Sequence, residues 1–220
     1  MNNPSVKIRH ILDANQIFIA ETQWALLQQW VELLREHNQK INLISRNDAD
    51  QIWEKHILPS LAILAVRKFP THSEICDLGT GGGLPGIPLA IIRPDLQFTM
   101  IDSIEKKIHS VQSMISALPL PNANVVLGRA EELGKKHFHQ HFSFITARAV
   151  SSLVNLEKWT RSLRKPNSVL HAYKGGDMEA EIQQACKISS IRHIEETSLQ
   201  LKKDSQLLAD QKKIVTLHFV

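Results

Sequence analysis

Five of the chain's nine glycines fall within eight positions, in the string Asp77-Leu78-Gly79-Thr80-Gly81-Gly82-Gly83-Leu84-Pro85-Gly86. Clustered glycines let a backbone turn sharply and approach a ligand closely, because no Cβ stands in the way. The string follows the β-prone run Glu74–Leu78 and leads into an apolar helical stretch. An open α/β sheet binds its ligand at that place, beyond the C-terminal ends of its strands. A merely flexible turn would not need this context of strand, glycines and helix. Two acidic positions fall into register downstream. Asp102 ends the next β-prone run, 23 residues after Gly79, where a carboxylate accepts hydrogen bonds from both ribose hydroxyls of an adenosine. Gly128-Arg129-Ala130-Glu131-Glu132 follows the third run and offers an acceptor for an adenine amino group, although acids there also suit a helix N-terminus.

Which adenosine ligand the loop takes is a question of charge. Gly81-x-Gly83-x-x-Gly86 satisfies the dinucleotide fingerprint literally, so a nicotinamide cofactor is one candidate. Against it, a pyrophosphate needs free N–H groups at the helix start, and Pro85 removes one. Asp77 would also set a carboxylate against the diphosphate. S-adenosylmethionine carries a sulfonium and an ammonium and no phosphate, so Asp77 favours it.

Other reactive residue types are sparse. Cys76 lies within a β-prone run and Cys186 along a late helical stretch, so neither suits the loop-borne nucleophile of C5 methylation. His137, His139 and His141 alternate in Lys135-Lys136-His137-Phe138-His139-Gln140-His141, and would converge on a metal only if extended. No acid or cysteine accompanies them, which favours a solvated loop and no metal site. Trp24, Trp30 and Trp53 have helical spacing that assigns them to packing in preference to base stacking. His56 has no role derivable from its neighbours.

The elements that must position these residues divide at about residue 73. Trp24, Leu27, Trp30 or Val31, and Leu34 predict an amphipathic helix, ended by a polar break at His37-Asn38-Gln39-Lys40. A second helix is expected to start at Asp48 with Gln51 as its capping-box partner, and to kink or end at Pro59. From Glu74, β-prone runs at Glu74–Leu78, Phe98–Ile101, Asn124–Leu127, Phe142–Thr146 and Ser168–Tyr173 alternate with helical stretches such as Ile104–Leu118 and Ser151–Leu163. That rhythm predicts a parallel sheet with helices on both faces. Runs at Ser189–Glu195 and Ile214–Val220, with no helix expected between them, predict an antiparallel hairpin at its edge. The expected fold is α/β: a doubly wound, mostly parallel, seven-stranded sheet with a helical N-terminal extension.

Composition bounds the partners. With 220 residues, 43% hydrophobic and 22% charged, the chain can bury a core, and no apolar run reaches the roughly 18 to 20 residues of a membrane helix. The two cysteines make no disulfide framework. No signal peptide is expected in Met1–His10, and the expected location is the cytoplasm. Lys plus Arg minus Asp plus Glu is 26 − 22 = +4, which permits a polyanionic partner without requiring one.

The glycine-proline string, extended through Ile87-Pro88-Leu89, resembles the ribosomal RNA small subunit methyltransferase G family, also called glucose-inhibited division protein B. The resemblance continues in order through Asn38, Asn42-Leu43, His56-Ile57-Leu58, Asp102-Ser103, Lys106-Lys107, Arg129-Ala130-Glu131-Glu132, Ala147-Arg148-Ala149 and Lys174-Gly175. It departs at His37, where tryptophan is expected, at Pro59, where aspartate is expected, and at Lys107, where arginine is common. The resemblance implies a class I methyltransferase domain over residues 74–220 behind a helical cap over 1–73. It implies transfer of a methyl group from S-adenosylmethionine to N7 of a guanine in 16S ribosomal RNA, in the small subunit or an assembly intermediate; a monomer is the default expectation. The implied cofactor set is Gly79, Thr80, Gly81 and Leu84 around the methionine, Asp102 and Ser103 at the ribose, Ala130 and Glu131 at the adenine, and Arg148 at the pocket edge. Asp77 joins it on the charge argument. Lys106, Lys107 and Lys174 are candidate RNA contacts. Guanine N7 bears a lone pair and no proton, so positioning is the main demand. The chain lacks the Asn/Asp-Pro-Pro-Tyr/Phe turn of exocyclic amine methylation; Thr146-Ala147-Arg148-Ala149 stands there, and Arg148 would hold a phosphate or guanine O6. A methyltransferase for small molecules or proteins, a dinucleotide-dependent oxidoreductase and a non-catalytic ribosome-binding protein are the rival readings.

Overall fold

Residues 3–220 are described by a computed structural model; Met1 and Asn2, at the start of the expected cap, lie outside the described residues. Helix α1 (Pro4–Ala14) starts where the Asn3 side chain accepts from the Ser5 N–H, with Pro4 in the first turn, where its missing donor is harmless. Helix α2 (Glu21–Lys40) buries Trp24, Leu27, Trp30, Val31 and Leu34, the stripe its periodicity predicts. It does not break at His37. The polar residues form its last turn, and the chain leaves the helix at Ile41.

The expected second helix is more irregular than its sequence suggests. Arg46–Gln51 is a 3₁₀ turn and Trp53–Ile57 a π turn, and the regular helix α3 covers only Leu58–Val66. Asp48 lies within the 3₁₀ turn and caps nothing with its side chain. Pro59 falls in the first turn of α3, where a proline neither kinks nor ends a helix. The wider turn has a cause outside the segment, since an arginine from the sheet hydrogen-bonds its carbonyls, as described below.

From residue 74 the β-prone runs become β1 (Glu74–Leu78), β2 (Gln97–Asp102), β3 (Ala123–Leu127), β4 (Phe142–Arg148), β5 (Arg164–Gly175), β6 (Ile191–Ser198) and β7 (Lys212–Phe219). Their order is β3-β2-β1-β4-β5-β7-β6. The first five are parallel, and β7 runs antiparallel to both β5 and β6. Helices α4 (Gly86–Ile92), α5 (Glu105–Ser116), α6 (Ala130–Lys136), α7 (Leu153–Thr160) and α8 (Glu179–Ala185) connect them, and the short α9 (Gln206–Ala209) stands where no helix is expected. Strand order reverses at β1, flanked by β2 and β4, which opens a crevice at their C-terminal ends.

Two apolar cores form, one on each face of the sheet. On one, cap residues Leu12, Trp30 and Leu34 join Phe98, Met100 and Met114 in a single cluster. On the other, Cys76, Ile101 and Ile145 pack with Leu133, Leu153 and Leu156 of α6 and α7. The cap is thus fastened by shared burial. Polar contacts add to this: Gln23 of α2 donates to the carbonyls of Ile91 and Ile92 at 3.0 and 3.1 Å, satisfying the end of α4.

Candidate functional site

The glycine loop is built around Asp77. Its carboxylate is fully buried and accepts from the Thr80 hydroxyl (2.7 Å), the Gly86 N–H (3.0 Å) and the Thr146 hydroxyl (3.0 Å). Burial pushes its pKa up to about 6, against the pull of those three donors. Asp77 therefore ties β1, the loop, the start of α4 and β4 together, with its carboxylate closed off from solvent. This corrects its expected contact with the cofactor's cationic centre, and Thr80 likewise turns its hydroxyl inward. Gly86 packs so tightly that a Cβ there would stand 2.7 Å from Asp77 Oδ2, and Gly79 has φ +65°. Both positions require glycine.

Above this base the cleft has two connected halves. The first, about 260 Å³, is lined by Gly79, Asp102, Ser103, Ala130, Glu131 and Trp159, among others. The second, about 250 Å³, is lined by Gly79, Gly81, Leu84 and Arg148 together with Leu43, Ile44 and Ser45 of the cap. Gly79, Lys107 and Ala149 belong to both. Asp102 accepts from the Gly81 N–H on Oδ2 (3.0 Å) and the Ile104 N–H on Oδ1 (2.9 Å), and each oxygen can accept one further bond. The two halves bring together Gly79, Thr80, Gly81, Leu84, Asp102, Ser103, Ala130, Glu131 and Arg148, nine of the ten expected cofactor residues.

Arg148 lies at the cleft edge but is not free to grip a substrate. It donates to the carbonyls of Lys55 (2.8 Å) and His56 (3.2 Å), to the Ser60 hydroxyl (3.1 Å) and to His56 Nδ1 (2.8 Å). These bonds occupy both terminal nitrogens, which removes the expected grip on phosphate or guanine O6. They explain the π turn, since a widened turn leaves carbonyls for an outside donor. His56, without a role in the sequence reading, is half of this clasp, and burial together with Arg148 pushes its pKa down to about 4.

The lysines divide three ways. Lys107 lines both halves of the cleft, Lys106 is exposed on α5, and Lys174 donates to the Ser151 carbonyl (2.8 Å) and pairs with Glu181 (2.7 Å). Lys174, expected as an RNA contact, thus already holds two partners inside the protein. His141 faces Glu74 at 3.6 Å and packs edge-on to Phe142, and among the described residues no cluster of three His, Cys, Asp or Glu gathers that could hold a metal. Sequence reasoning missed Trp159, because its place on α7 reads as packing. It also left unexplained Asn38, whose Oδ1 accepts from the N–H groups of Leu43 (2.9 Å) and Ile44 (3.0 Å) and so shapes the cap's wall of the cleft.

Solved structures share this architecture. A SAM-dependent methyltransferase from Aquifex aeolicus superposes with a TM-score of 0.55 over 73% of this chain and 89% of that one, at 16% identity. A chain of a fibrillarin/Nop5p complex gives 0.56 over 74% and 83%, at 12% identity. Sheet order, glycine loop and cleft define the class I fold of S-adenosylmethionine-dependent methyltransferases. The profile of the family described as rRNA small subunit methyltransferase G matches residues 23–212. Ribosomal RNA small subunit methyltransferase G of Chlorobium phaeobacteroides is 38% identical over 184 residues, covering 84% of this chain and 81% of the relative. That of Flavobacterium psychrophilum is 38% identical over 185 residues, covering 80% and 82%. The chain belongs to the rRNA small subunit methyltransferase G family.

Proposed function

We propose that this protein transfers the methyl group of S-adenosylmethionine to N7 of one guanine in 16S ribosomal RNA, acting in the cytoplasm as a monomer on the small subunit or an assembly intermediate. The observation that supports the reading best is the cleft itself. Strand-end residues from β1, β2, β3 and β4 line a groove whose polar groups suit an adenosine with a cationic tail, and the family membership names ribosomal RNA. When bound, the cofactor supplies an electrophilic methyl group. Asp102 and Ser103 hold the ribose, Ala130 and Glu131 meet the adenine, Trp159 walls that end, and Gly79, Gly81 and Leu84 line the methionine end. Leu43 and Leu84 narrow the groove with apolar surface, which excludes water and strengthens the polar contacts that remain. Asp77 acts one layer below, holding the loop in shape. Lys107 adds positive potential at the mouth, where a phosphate would lie. Guanine N7 attacks with its own lone pair, so the chain must orient the base and need not deprotonate it.

Two rival readings differ in measurable ways. An RNA substrate makes turnover fall steeply as salt rises, because phosphate contacts release counterions, whereas a small-molecule acceptor would be nearly indifferent. A dinucleotide enzyme would be stabilised against heat by NAD more than by S-adenosylmethionine. The decisive experiment incubates the protein with isotope-labelled S-adenosylmethionine and small subunits, bare 16S rRNA or tRNA. Labelled RNA is then reduced and treated with aniline, which cuts at 7-methylguanosine. The expected outcome is label in 16S rRNA and one cut. Label without a cut would discard N7, and no label in any RNA would discard the RNA substrate.

A further inference from the structure

Lys107 stands where a lysine is out of place. Helix α5 buries Val111 and Met114, four and seven residues on, and by helical spacing Lys107 continues that stripe. It is half-buried, whereas Lys106 beside it is exposed. Lysines are seldom drawn inward unless they are paired. A cation in the first turn of a helix also opposes the macrodipole, and Lys107 lies in that turn, its N–H donating to the Ile104 carbonyl at 3.0 Å. The protein supplies nothing to offset this. Glu105 faces His109 at 3.9 Å, and among the described residues no acid pairs with Lys107. Its side chain instead lines both halves of the cleft.

Two arginines also line the cleft, and neither is placed for the methionine end. Arg129 lines the adenosine half alone, and both terminal nitrogens of Arg148 are taken by the cap. The methionine end of the cofactor carries one anionic group, its carboxylate. We propose that the Lys107 ammonium binds the methionine carboxylate of S-adenosylmethionine; this rests on the cofactor reading of the cleft given above. Asp102 and Lys107 belong to one turn, since Asp102 Oδ1 accepts from the Ile104 N–H and the Ile104 carbonyl accepts from the Lys107 N–H. One turn thus grips the ribose and the carboxylate, the groups on either side of the cofactor's sulfur, and so orients the methyl group between them. Leu43, Ile44 and Leu84 share the methionine half with Lys107, and their apolar surface strengthens the pair by lowering the local dielectric. An ammonium has three N–H donors, so a carboxylate inside the cleft leaves a donor for a phosphate at the mouth.

The test is calorimetric and needs no RNA. S-adenosylmethionine and its decarboxylated analogue, which keeps the sulfonium and the ammonium, are titrated into wild type, Lys107→Ala and Lys107→Arg. Wild type should bind the analogue roughly tenfold more weakly, the scale of a lost charge-assisted hydrogen bond. Lys107→Ala should lose a similar factor on S-adenosylmethionine and nothing on the analogue, because both changes remove the same contact. Lys107→Arg should keep the preference for the carboxylate. Equal wild-type affinity for the two ligands would overturn the assignment without needing any variant. So would a Lys107→Ala loss of the same size on both. Unchanged affinity of Lys107→Ala for both ligands, with a raised KM for RNA, would assign the lysine to a phosphate and overturn it too. If wild type binds neither ligand, the cofactor reading itself fails, and this proposal with it.

Discussion

Asp77 and Asp102 are carboxylates at the ends of neighbouring strands, yet they act on different things. Asp77 satisfies three donors inside the protein, and Asp102 holds the loop through Gly81 while facing the cleft. Asp102→Ala therefore removes the ribose contacts and one loop anchor together. Its Kd for S-adenosylmethionine should rise at least about tenfold, as charge-assisted hydrogen bonds contribute roughly 1.5–3 kcal/mol each, and isothermal calorimetry reads this directly. An unchanged Kd would remove Asp102 from the site. Gly86→Ala would drive a methyl group to 2.7 Å from Asp77 Oδ2 and 2.9 Å from Met100 Cε. Loss of about 2 kcal/mol or more on urea denaturation is expected, within the range of overpacked interiors.

At the scale of elements, the cap and the sheet meet through segments that neither would adopt alone. The 41–45 segment is held against the glycine loop because Asn38, in the last turn of α2, accepts from two of its N–H groups. Asn38→Ala leaves the Ile44 N–H unpaired and the Leu43 N–H with only the Ile41 carbonyl (2.8 Å), which costs about 1–3 kcal/mol where water does not reach the freed donor. The expected result is lower stability together with weaker cofactor binding, since Leu43, Ile44 and Ser45 line the cleft. A variant that lost stability and kept full cofactor affinity would show that this wall does not touch the ligand. The π turn at Trp53–Ile57 has the same character, existing as it does because Arg148 on β4 hydrogen-bonds the Lys55 and His56 carbonyls.

Across the whole molecule, buried titratable groups give stability a direction with pH. His56 and His171 have folded pKa values pushed down by burial to about 4 and about 3 from the ordinary 6.5. Their contribution is complete above pH 6.5, and is lost as pH falls through about 4 and then 3, because only the unfolded chain takes up those protons. Asp77, raised to about 6 from 3.8, works the other way in part of that window, its contribution being lost as pH rises through 6. Two histidines outweigh one aspartate, so the melting temperature should drop between pH 6.5 and 4. His171→Leu should flatten that drop, and an unchanged slope would exclude His171 as its source.

What the amino-acid sequence determined by itself was whatever depends on local periodicity and on chain-order context. The glycine string after a strand, the acid at the end of β2, the alternation of strand and helix, and the stripe of α2 were all legible, because each is specified within about twenty residues. β1 matches its β-prone run, whereas β5 is longer than its own, because pairing with β4 and β7 carries the ladder beyond the apolar segment. Only the tertiary structure decided the rest. Asp77 and Lys174 look from sequence like groups aimed at a ligand, but partners from elsewhere in the chain, the Thr146 hydroxyl for one and the Ser151 carbonyl for the other, hold them. The clasp between Arg148 and His56 spans 92 residues, and a cavity beside it draws on the cap, β4, α9 and β7 at once. A side chain's type announces which bonds it can make, and the fold decides which of them are already made.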